Sequence, residues 1–127
     1  MLSEMEKIEN QIMAERRKRK RYKLIYDIIV VDLSTEKEIG RLVNISTLGF
    51  LLSTQDNIDK EIYPNLTLVL PDEANINEDI IFEAHACWTK QDANPMFSLT
   101  GFKVEDNLDQ YSACAEILIE KFSVEDN

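Results

Sequence analysis

The sequence predicts an all-β core: a six-stranded antiparallel β-barrel preceded by a short N-terminal helix and followed by a C-terminal α-helix. Three observations support this prediction. The length of 127 residues is that of one domain. Six short runs rich in β-branched and aromatic residues follow one another without helical patterns between them. Apolar residues at helical spacing occur on either side of these runs. Consecutive strands of this kind favour an antiparallel barrel or sandwich over a parallel sheet.

Polar turns separate the predicted strands. The first strand, Leu24–Leu33, ends at the polar turn 34–38, and the fifth follows the polar loop 72–79. The sixth changes the phase of its apolar residues at Gly101, where we expect a β-bulge that bends the barrel. One face of the fifth strand is expected to carry Phe82, Ala84, Ala86 and Trp88. The remaining predicted strands are Ile39–Ile45, Gly49–Ser53, Leu66–Leu70 and, as the sixth, Met96–Val104.

Two segments show helical periodicity. At the C-terminal end Asn107 is a suitable N-cap, and Cys114 and Ile119 flank an apolar stripe. Residues 2–15 form the second segment, in which Ser3 and Glu6 match a capping box. Its apolar stripe is too short to indicate a coiled coil, so it either rests on the domain or forms a dimer seam. The C-terminal stripe is Leu108, Tyr111, Ala115, Leu118 and Phe122, and the N-terminal one is Met1, Met5, Ile8 and Ile12.

Charge is distributed unevenly along the chain. The net charge is -10, yet residues 16–21 are six consecutive cations. Residues 1–23 hold eight Lys/Arg and four Asp/Glu, a balance of +4, whereas residues 24–127 hold six and twenty, a balance of -14. A cationic run repels itself and calls for a counter-charge on an acidic protein, a membrane, a nucleic acid or a nucleotide phosphate. The acidic remainder argues against general attraction to DNA, RNA or anionic lipid.

The remaining features indicate a soluble, cytoplasmic protein without membrane insertion. The sequence has no signal-peptide pattern and no run of 18 apolar residues. Cys87 and Cys114 fall in apolar segments, so we expect both thiols to be buried and reduced. With neither a C-x-x-C pair nor a second histidine, we expect no metal site and no cofactor. No nucleophile or acid–base constellation is present, which argues against an enzyme.

Two short motifs carry the functional prediction. Asn44-Ile-Ser46-Thr-Leu-Gly49 lies between two predicted strands, and Arg17-x-x-x-Arg21 lies just before the first strand. Alone, the Asn44–Gly49 segment is an ordinary turn, in which Gly49 would supply a positive φ. Both motifs in this order, followed by Trp88, Gly101-Phe102 and a C-terminal helix, resemble the PilZ domain. The resemblance extends from about residue 16 to residue 122.

This resemblance implies a six-stranded antiparallel barrel that binds the bacterial second messenger cyclic di-GMP. In the family, the two arginines of the first motif contact phosphates and guanine faces, which implies this role for Arg17 and Arg21. The Asn and Ser of the second motif contact a guanine edge, here Asn44 and Ser46, with Gly49 shaping the turn. Two further positions are candidates: Arg16 matches an extra arginine often found before the motif, and Trp88 lies at a strand end, suited either to core packing or to ligand stacking.

The sequence therefore predicts three parts: an N-terminal helix at 1–15, a basic ligand-binding linker at 16–23, and the barrel with its C-terminal helix at 24–127. We expect residues 16–21 to be mobile without ligand and to wrap the nucleotide when it binds. Residues 18–20 act as spacers, and a downstream protein partner or a homodimer through residues 1–15 would receive the signal. The alternatives are a PilZ-like protein-interaction module with a dormant site, and a nucleic-acid binder that uses the basic segment.

Overall fold

The computed structural model of the protein describes residues 21–24, 27–55, 58, 60–76 and 79–126. The predicted helix at 2–15 and the basic residues 16–20 lie outside the described residues. The first four strands are β1 (Arg21–Leu24), β2 (Ile29–Asp32), β3 (Lys37–Ile45) and β4 (Gly49–Thr54). They are followed by β5 (Ile62–Val69), a 3₁₀ turn (Asp72–Ala74), β6 (Ile81–Gln91), β7 (Ser98–Asp106), helix α1 (Leu108–Phe122) and β8 (Ser123–Asp126).

Six of the strands close into a barrel. The hydrogen-bonded order is β2-β5-β6-β7-β4-β3, and β3 pairs back onto β2, with every pair antiparallel. β1 and β8 extend the sheet beyond β3, outside the ring. The structure therefore confirms the predicted six-stranded antiparallel barrel followed by a C-terminal α-helix.

The first predicted strand, Leu24–Leu33, is divided between β1 and β2. Both strands pair with β3, through Lys23 opposite Asn44 and Ile29 opposite Arg41. Between them the Ile28 side chain is fully buried, and its carbonyl accepts a hydrogen bond of 2.9 Å from the Leu42 amide. The two strands are separate because each has a different second partner. β2 pairs with β5 and belongs to the barrel, whereas β1 pairs with β8 outside it.

The β-bulge predicted at Gly101 lies instead on the neighbouring strand. β7 keeps a regular register with β4 from Ser98 to Lys103. Against β6, however, the pairing shifts between Ala86 and Trp88, which leaves Cys87 as the extra residue. The shift moves Trp88 off the face shared by Phe82, Ala84 and Ala86, so the expectation that these four residues lie on one face is wrong.

Aromatic side chains fill the centre of the barrel. The rings of Phe50 and Phe102 stack at 5.0 Å between centroids, and Phe82 meets Phe50 edge-on at 5.9 Å. Tyr111 of α1 adds a fourth ring, 5.0 Å from Phe82. Because offset and edge-to-face contacts add to the burial energy of large rings, this cluster anchors the helix on the barrel. Other buried residues of α1 are Ala115 and Leu118 of the predicted stripe and Cys114, which flanks it.

Helix α1 begins where the sequence predicts, but its first turn is held differently. Asn107 adopts a left-handed conformation with φ of 61°, and its side chain makes no capping hydrogen bond. Instead its side-chain nitrogen Nδ2 donates to the backbone carbonyl of Ile81 and to the side-chain oxygen of Gln110, both at 2.7 Å. Asn107 thereby ties the start of the helix to the start of β6.

Candidate functional site

A row of directly paired residues crosses the outer wall of the sheet on five strands. Residues opposite one another in paired strands share a face. Asn44, Leu51 and Gly101 face outward, because the residues next to them in the sequence, Ile45, Phe50 and Phe102, are buried in the barrel core. At about 4.8 Å per strand the row spans about 19 Å along the sheet. This outer row consists of Trp88, Gly101, Leu51, Asn44 and Lys23, in that order.

The outer row brings Asn44 and Trp88 onto one surface. Asn44 is half-buried at the end of β3, and Trp88 is half-buried on β6. The Trp88 indole lies across Gly101 towards β4, since a β-carbon built at Gly101 would lie 2.5 Å from Nε1 of the ring. The ammonium of Lys90 is 5.5 Å from the centre of the same ring. Glycine at 101 is therefore what lets the indole lie flat on the wall.

The loop after Asn44 is a compact turn organised by the Ser46 hydroxyl. The Ser46 amide donates to the Gly49 carbonyl at 3.0 Å, and the Leu48 amide donates to the Ser46 hydroxyl at 3.3 Å. The hydroxyl itself donates to the Gly49 carbonyl at 3.4 Å. Both hydroxyl contacts are long and therefore weak, so a better acceptor could replace the second. Ser46 thus shapes the loop as well as standing next to Asn44.

Gly49 is needed for close packing and not for an unusual backbone angle. No glycine among the described residues has a positive φ, so the expectation of a positive φ at Gly49 is wrong. A β-carbon at Gly49 would instead clash with the carbonyl oxygen of Phe102 on β7. The tight approach of β4 to β7 at this point sets the position of the loop relative to the barrel wall.

Helix α1 also holds this loop. The Tyr111 hydroxyl donates a hydrogen bond of 2.6 Å to the Gly49 carbonyl, and the Ser112 hydroxyl donates one of 2.6 Å to the Thr47 carbonyl. Between these two, the Leu48 carbonyl accepts from the Val104 amide at 3.0 Å. In the sequence Tyr111 appears only as one member of an apolar stripe and Ser112 matches no motif, so a contact over more than 60 residues left no signal there.

The backbone of β1 runs beside the loop. Lys23 is opposite Asn44 where β1 pairs with β3. On its other edge β1 pairs with β8, with Arg21 opposite Asp126. Residues 21–23, the end of the predicted linker, are thus part of a strand. Arg16 and Arg17 lie outside the described residues.

A shallow groove lies next to the outer row. It has a volume of about 340 Å³, and Arg41 and Ser53, which are paired across β3 and β4, contribute to its wall. The Arg41 guanidinium lies 3.8 Å from the Asp27 carboxylate, and both side chains are largely exposed. The groove is lined by Ile29, Glu38, Ile39, Gly40, Arg41, Ser53, Gln55 and Phe97.

Both cysteine side chains are buried, as predicted. Burial raises the pKa of the Cys114 thiol to about 11. Within the described part of the chain, no cluster of three or more His, Cys, Asp or Glu side chains could hold a metal ion. None of the helices described is both long enough and apolar enough to cross a membrane.

Comparison with solved structures identifies the fold. MrkH from K. pneumonia, in its apo state, superposes with a TM-score of 0.63 at 12% identity, over 80% of this chain and 49% of MrkH. The Bacillus subtilis inhibitor of motility, MotI/DgrA, gives 0.61 at 18% identity, over 82% of this chain and 50% of that protein. The PilZ domain of YcgR from Escherichia coli, solved with c-di-GMP, gives a TM-score of 0.57 at 10% identity, over 83% of this chain and 91% of that domain.

The fold is that of a PilZ-like domain. The resemblance to PilZ domains expected from the two motifs is thus confirmed at the level of the fold. No protein-family model matches the sequence, and no curated protein matches it. The chain spans about half the length of MrkH and of MotI/DgrA.

Proposed function

We propose that the chain is a non-catalytic receptor for cyclic di-GMP. Its contacts would come from Arg17, Arg21, Asn44 and Ser46, with Arg16, Gly49 and Trp88 in support. The observation that carries this proposal is the outer row, which has Asn44 and Trp88 on one wall of a PilZ-like barrel. The strand that bears Arg21 runs beside this wall. The YcgR PilZ domain, a structural neighbour, was solved with c-di-GMP.

The chemistry of the ligand suits these side chains. Cyclic di-GMP presents two phosphates and two guanines, that is, anionic acceptors next to flat aromatic faces. A guanidinium can make bidentate hydrogen bonds to a phosphate or to guanine O6 and N7, and it can also stack on a ring. Each charge-assisted bond contributes about 1.5–3 kcal/mol, so Arg17 and Arg21 together are sufficient for micromolar binding when stacking is added. Lysine would replace neither arginine well.

Asn44 and Ser46 supply the polar edge of the proposed site. The Asn44 side-chain oxygen would accept from the N1 and N2 donors of a guanine, while its amide would donate to O6. The Ser46 hydroxyl gives up only a 3.4 Å contact with the Gly49 carbonyl if it turns towards the ligand. The loop keeps its stronger backbone bond between Ser46 and Gly49 in either case.

Trp88 supplies an apolar platform at the far end of the outer row. One side of its ring lies on Gly101, and the Lys90 ammonium is 5.5 Å from its centre. A guanine that stacks on this ring would displace Lys90, whose charge would then be available to a phosphate. Base stacking of this kind contributes about 1–3 kcal/mol.

Signal relay would begin at the basic segment. Fixing each residue of this segment costs about 1–2 kcal/mol in backbone entropy, which a cationic run cannot recover without a counter-charge. Binding would therefore order residues 16–20, which precede Arg21 of β1, over the outer row and move residues 1–15 relative to the barrel. A downstream protein, or a second copy of the chain through residues 1–15, would read that change. We expect the protein to act in the cytoplasm.

Calorimetric titration with cyclic di-GMP tests the proposal. We expect saturable micromolar binding, abolished in Arg17→Ala and in Arg21→Ala. Arg19→Ala is the matched control, because it removes the same charge from the same run at a spacer position and should change the affinity only a few-fold. A folded protein that gives no heat at high micromolar ligand contradicts the proposal and favours a dormant interaction module. Sequence-independent, strongly salt-dependent binding of DNA through the same segment would favour a nucleic-acid binder.

A further inference from the structure

Helix α1 holds the Asn44–Gly49 loop through two adjacent hydroxyl groups. Tyr111 donates to the Gly49 carbonyl and Ser112 to the Thr47 carbonyl, each at 2.6 Å. These are the shortest hydrogen bonds described for the loop, shorter than the 3.0–3.4 Å bonds within it. The helix therefore holds two carbonyl groups of the loop, those of Thr47 and Gly49.

The Tyr111 hydroxyl is held in place by its ring. The side chain is fully buried, and its ring lies 5.0 Å from Phe82 and 6.2 Å from Phe50. Because the rings fix the orientation of the side chain, little rotamer entropy remains to be lost when the hydroxyl meets Gly49. Ser112 is the next residue along the helix and is half-buried against the loop.

The Gly49 carbonyl is shared between the helix and Ser46. It accepts from the Tyr111 hydroxyl, the Ser46 amide and the Ser46 hydroxyl. Holding this one oxygen fixes the orientation of Ser46, and Ser46 is two residues after Asn44 at the end of the outer row. A shift of α1 along its axis would therefore reach the loop directly, without passing through the barrel core.

We propose that Tyr111 and Ser112 are positioning residues for the ligand site, and that α1 and the site are thermodynamically coupled. This inference rests on the proposed function in one respect, that the loop binds cyclic di-GMP. By linkage, a helix that stabilises the binding geometry of the loop is itself stabilised on the barrel when ligand binds. The helix is then a second output of the domain, separate from the N-terminal segment.

Affinity and amide exchange together test the inference. Tyr111→Phe removes the hydroxyl and keeps the ring, and Ser112→Ala removes the second hydroxyl at a half-buried position. We expect each variant to bind cyclic di-GMP about 5- to 10-fold more weakly, the value of one hydrogen bond. In the unliganded protein the Ser46 and Leu48 amides should exchange about tenfold faster or more in Tyr111→Phe.

Two control variants separate positioning from general stability. Tyr63→Phe removes a hydroxyl from another buried tyrosine, on β5, and Ser98→Ala removes one from a half-buried serine on β7. Both variants should bind cyclic di-GMP with wild-type affinity and show wild-type exchange rates for the loop amides, even if their melting temperatures change. If Tyr111→Phe unfolds, Ser112→Ala carries the test alone.

The outcomes distinguish this inference from the proposed function. Wild-type affinity in both Tyr111→Phe and Ser112→Ala overturns the positioning role even if cyclic di-GMP binds. If the wild-type protein binds no cyclic di-GMP, the proposed function fails, and the exchange rates of the Ser46 and Leu48 amides decide the positioning role by themselves. Unchanged rates in both variants would overturn it.

Discussion

The indole of Trp88 rests on Gly101 of the neighbouring strand, and a β-carbon at that glycine would lie 2.5 Å from the indole nitrogen. Gly49 is also close to β7, but there the obstacle to a β-carbon is the backbone carbonyl of Phe102. The two glycines therefore differ in what must move when a side chain is added. A side chain at the surface can rotate, whereas a carbonyl within a paired strand cannot.

Alanine substitutions at these glycines should differ in cost. We expect Gly101→Ala to displace Trp88 and to lower the free energy of unfolding by about 1–2 kcal/mol, and Gly49→Ala to lower it by about 3 kcal/mol or more. Trp88 is the only tryptophan of the chain, so urea denaturation followed by its fluorescence measures both effects. Gly101→Ala should also shift the native emission. Equal stability of Gly49→Ala and wild type would contradict the tight β4–β7 approach.

The fluorescence of Trp88 should report the binding of cyclic di-GMP directly. If a guanine stacks on the indole and displaces Lys90, its fluorescence will be quenched saturably by cyclic di-GMP, with the same dissociation constant as calorimetry gives. Trp88→Phe keeps a smaller ring and should weaken binding about 3- to 10-fold. GMP at the same concentration is the control for quenching by absorption. Quenching that is equal with GMP, together with full affinity in Trp88→Phe, would remove Trp88 from the site.

Lys18, Arg19 and Lys20 should contribute long-range electrostatic attraction to the ligand and no specific contact with it. Replacing Lys18, Arg19 and Lys20 together by glutamine should weaken cyclic di-GMP binding modestly, by about tenfold at low salt, with a smaller difference at 0.5 M salt. The reason is that long-range attraction is screened by salt whereas a direct guanidinium–phosphate bond is screened much less. Binding measured at two salt concentrations separates the two effects. A loss as complete as that of Arg17→Ala would show that the spacers also contact the ligand.

Cys114 should make the protein less stable in alkali. Because burial raises the pKa of its thiol to about 11, the unfolded chain ionises first as the pH rises above about 9. The unfolded state then holds fewer protons than the folded state, so stability falls between about pH 9 and pH 11. Urea unfolding of Cys114→Ala across this range should show a smaller decline than wild type. Cys87→Ala serves as the control for loss of a buried thiol, and identical pH profiles of wild type and Cys114→Ala would contradict the prediction.

The strands of the barrel could be predicted because each carries its own local signal. β3, β4 and α1 begin or end within two residues of their predicted bounds, since turn residues and the Asn107 cap position mark them. β8 could not be predicted, because Ser123–Asp126 has no apolar alternation. It becomes a strand only because β1 offers it a free edge.

The candidate site could be proposed from its sequence motifs, but the contacts that hold its residues in place could not be predicted. Asn44 and Ser46 stand out by their spacing in the sequence. The outer row depends on strand order and on the position of one bulge, and moving that bulge from Gly101 to Cys87 changes which way Trp88 faces. The role of Gly49 depends on how closely two strands approach, and that of Tyr111 on a contact across 62 positions. Neither leaves a periodic signal.

The pairing of β1 with β8 has a mechanical consequence. Arg21 is opposite Asp126 and Leu24 is opposite Ser123, so both outer ends of this hairpin-like pair lie on the same side. Tension applied between residues 21 and 126 would unzip the pair. The backbone hydrogen bonds between β1 and β8 would break one after another, whereas in shear they would carry the load together. The strand that carries Arg21 would then peel from its partner at low force while the closed barrel stayed intact. β1 would keep its pairing with β3 at Lys23 and Asn44, so β8 would leave the sheet first.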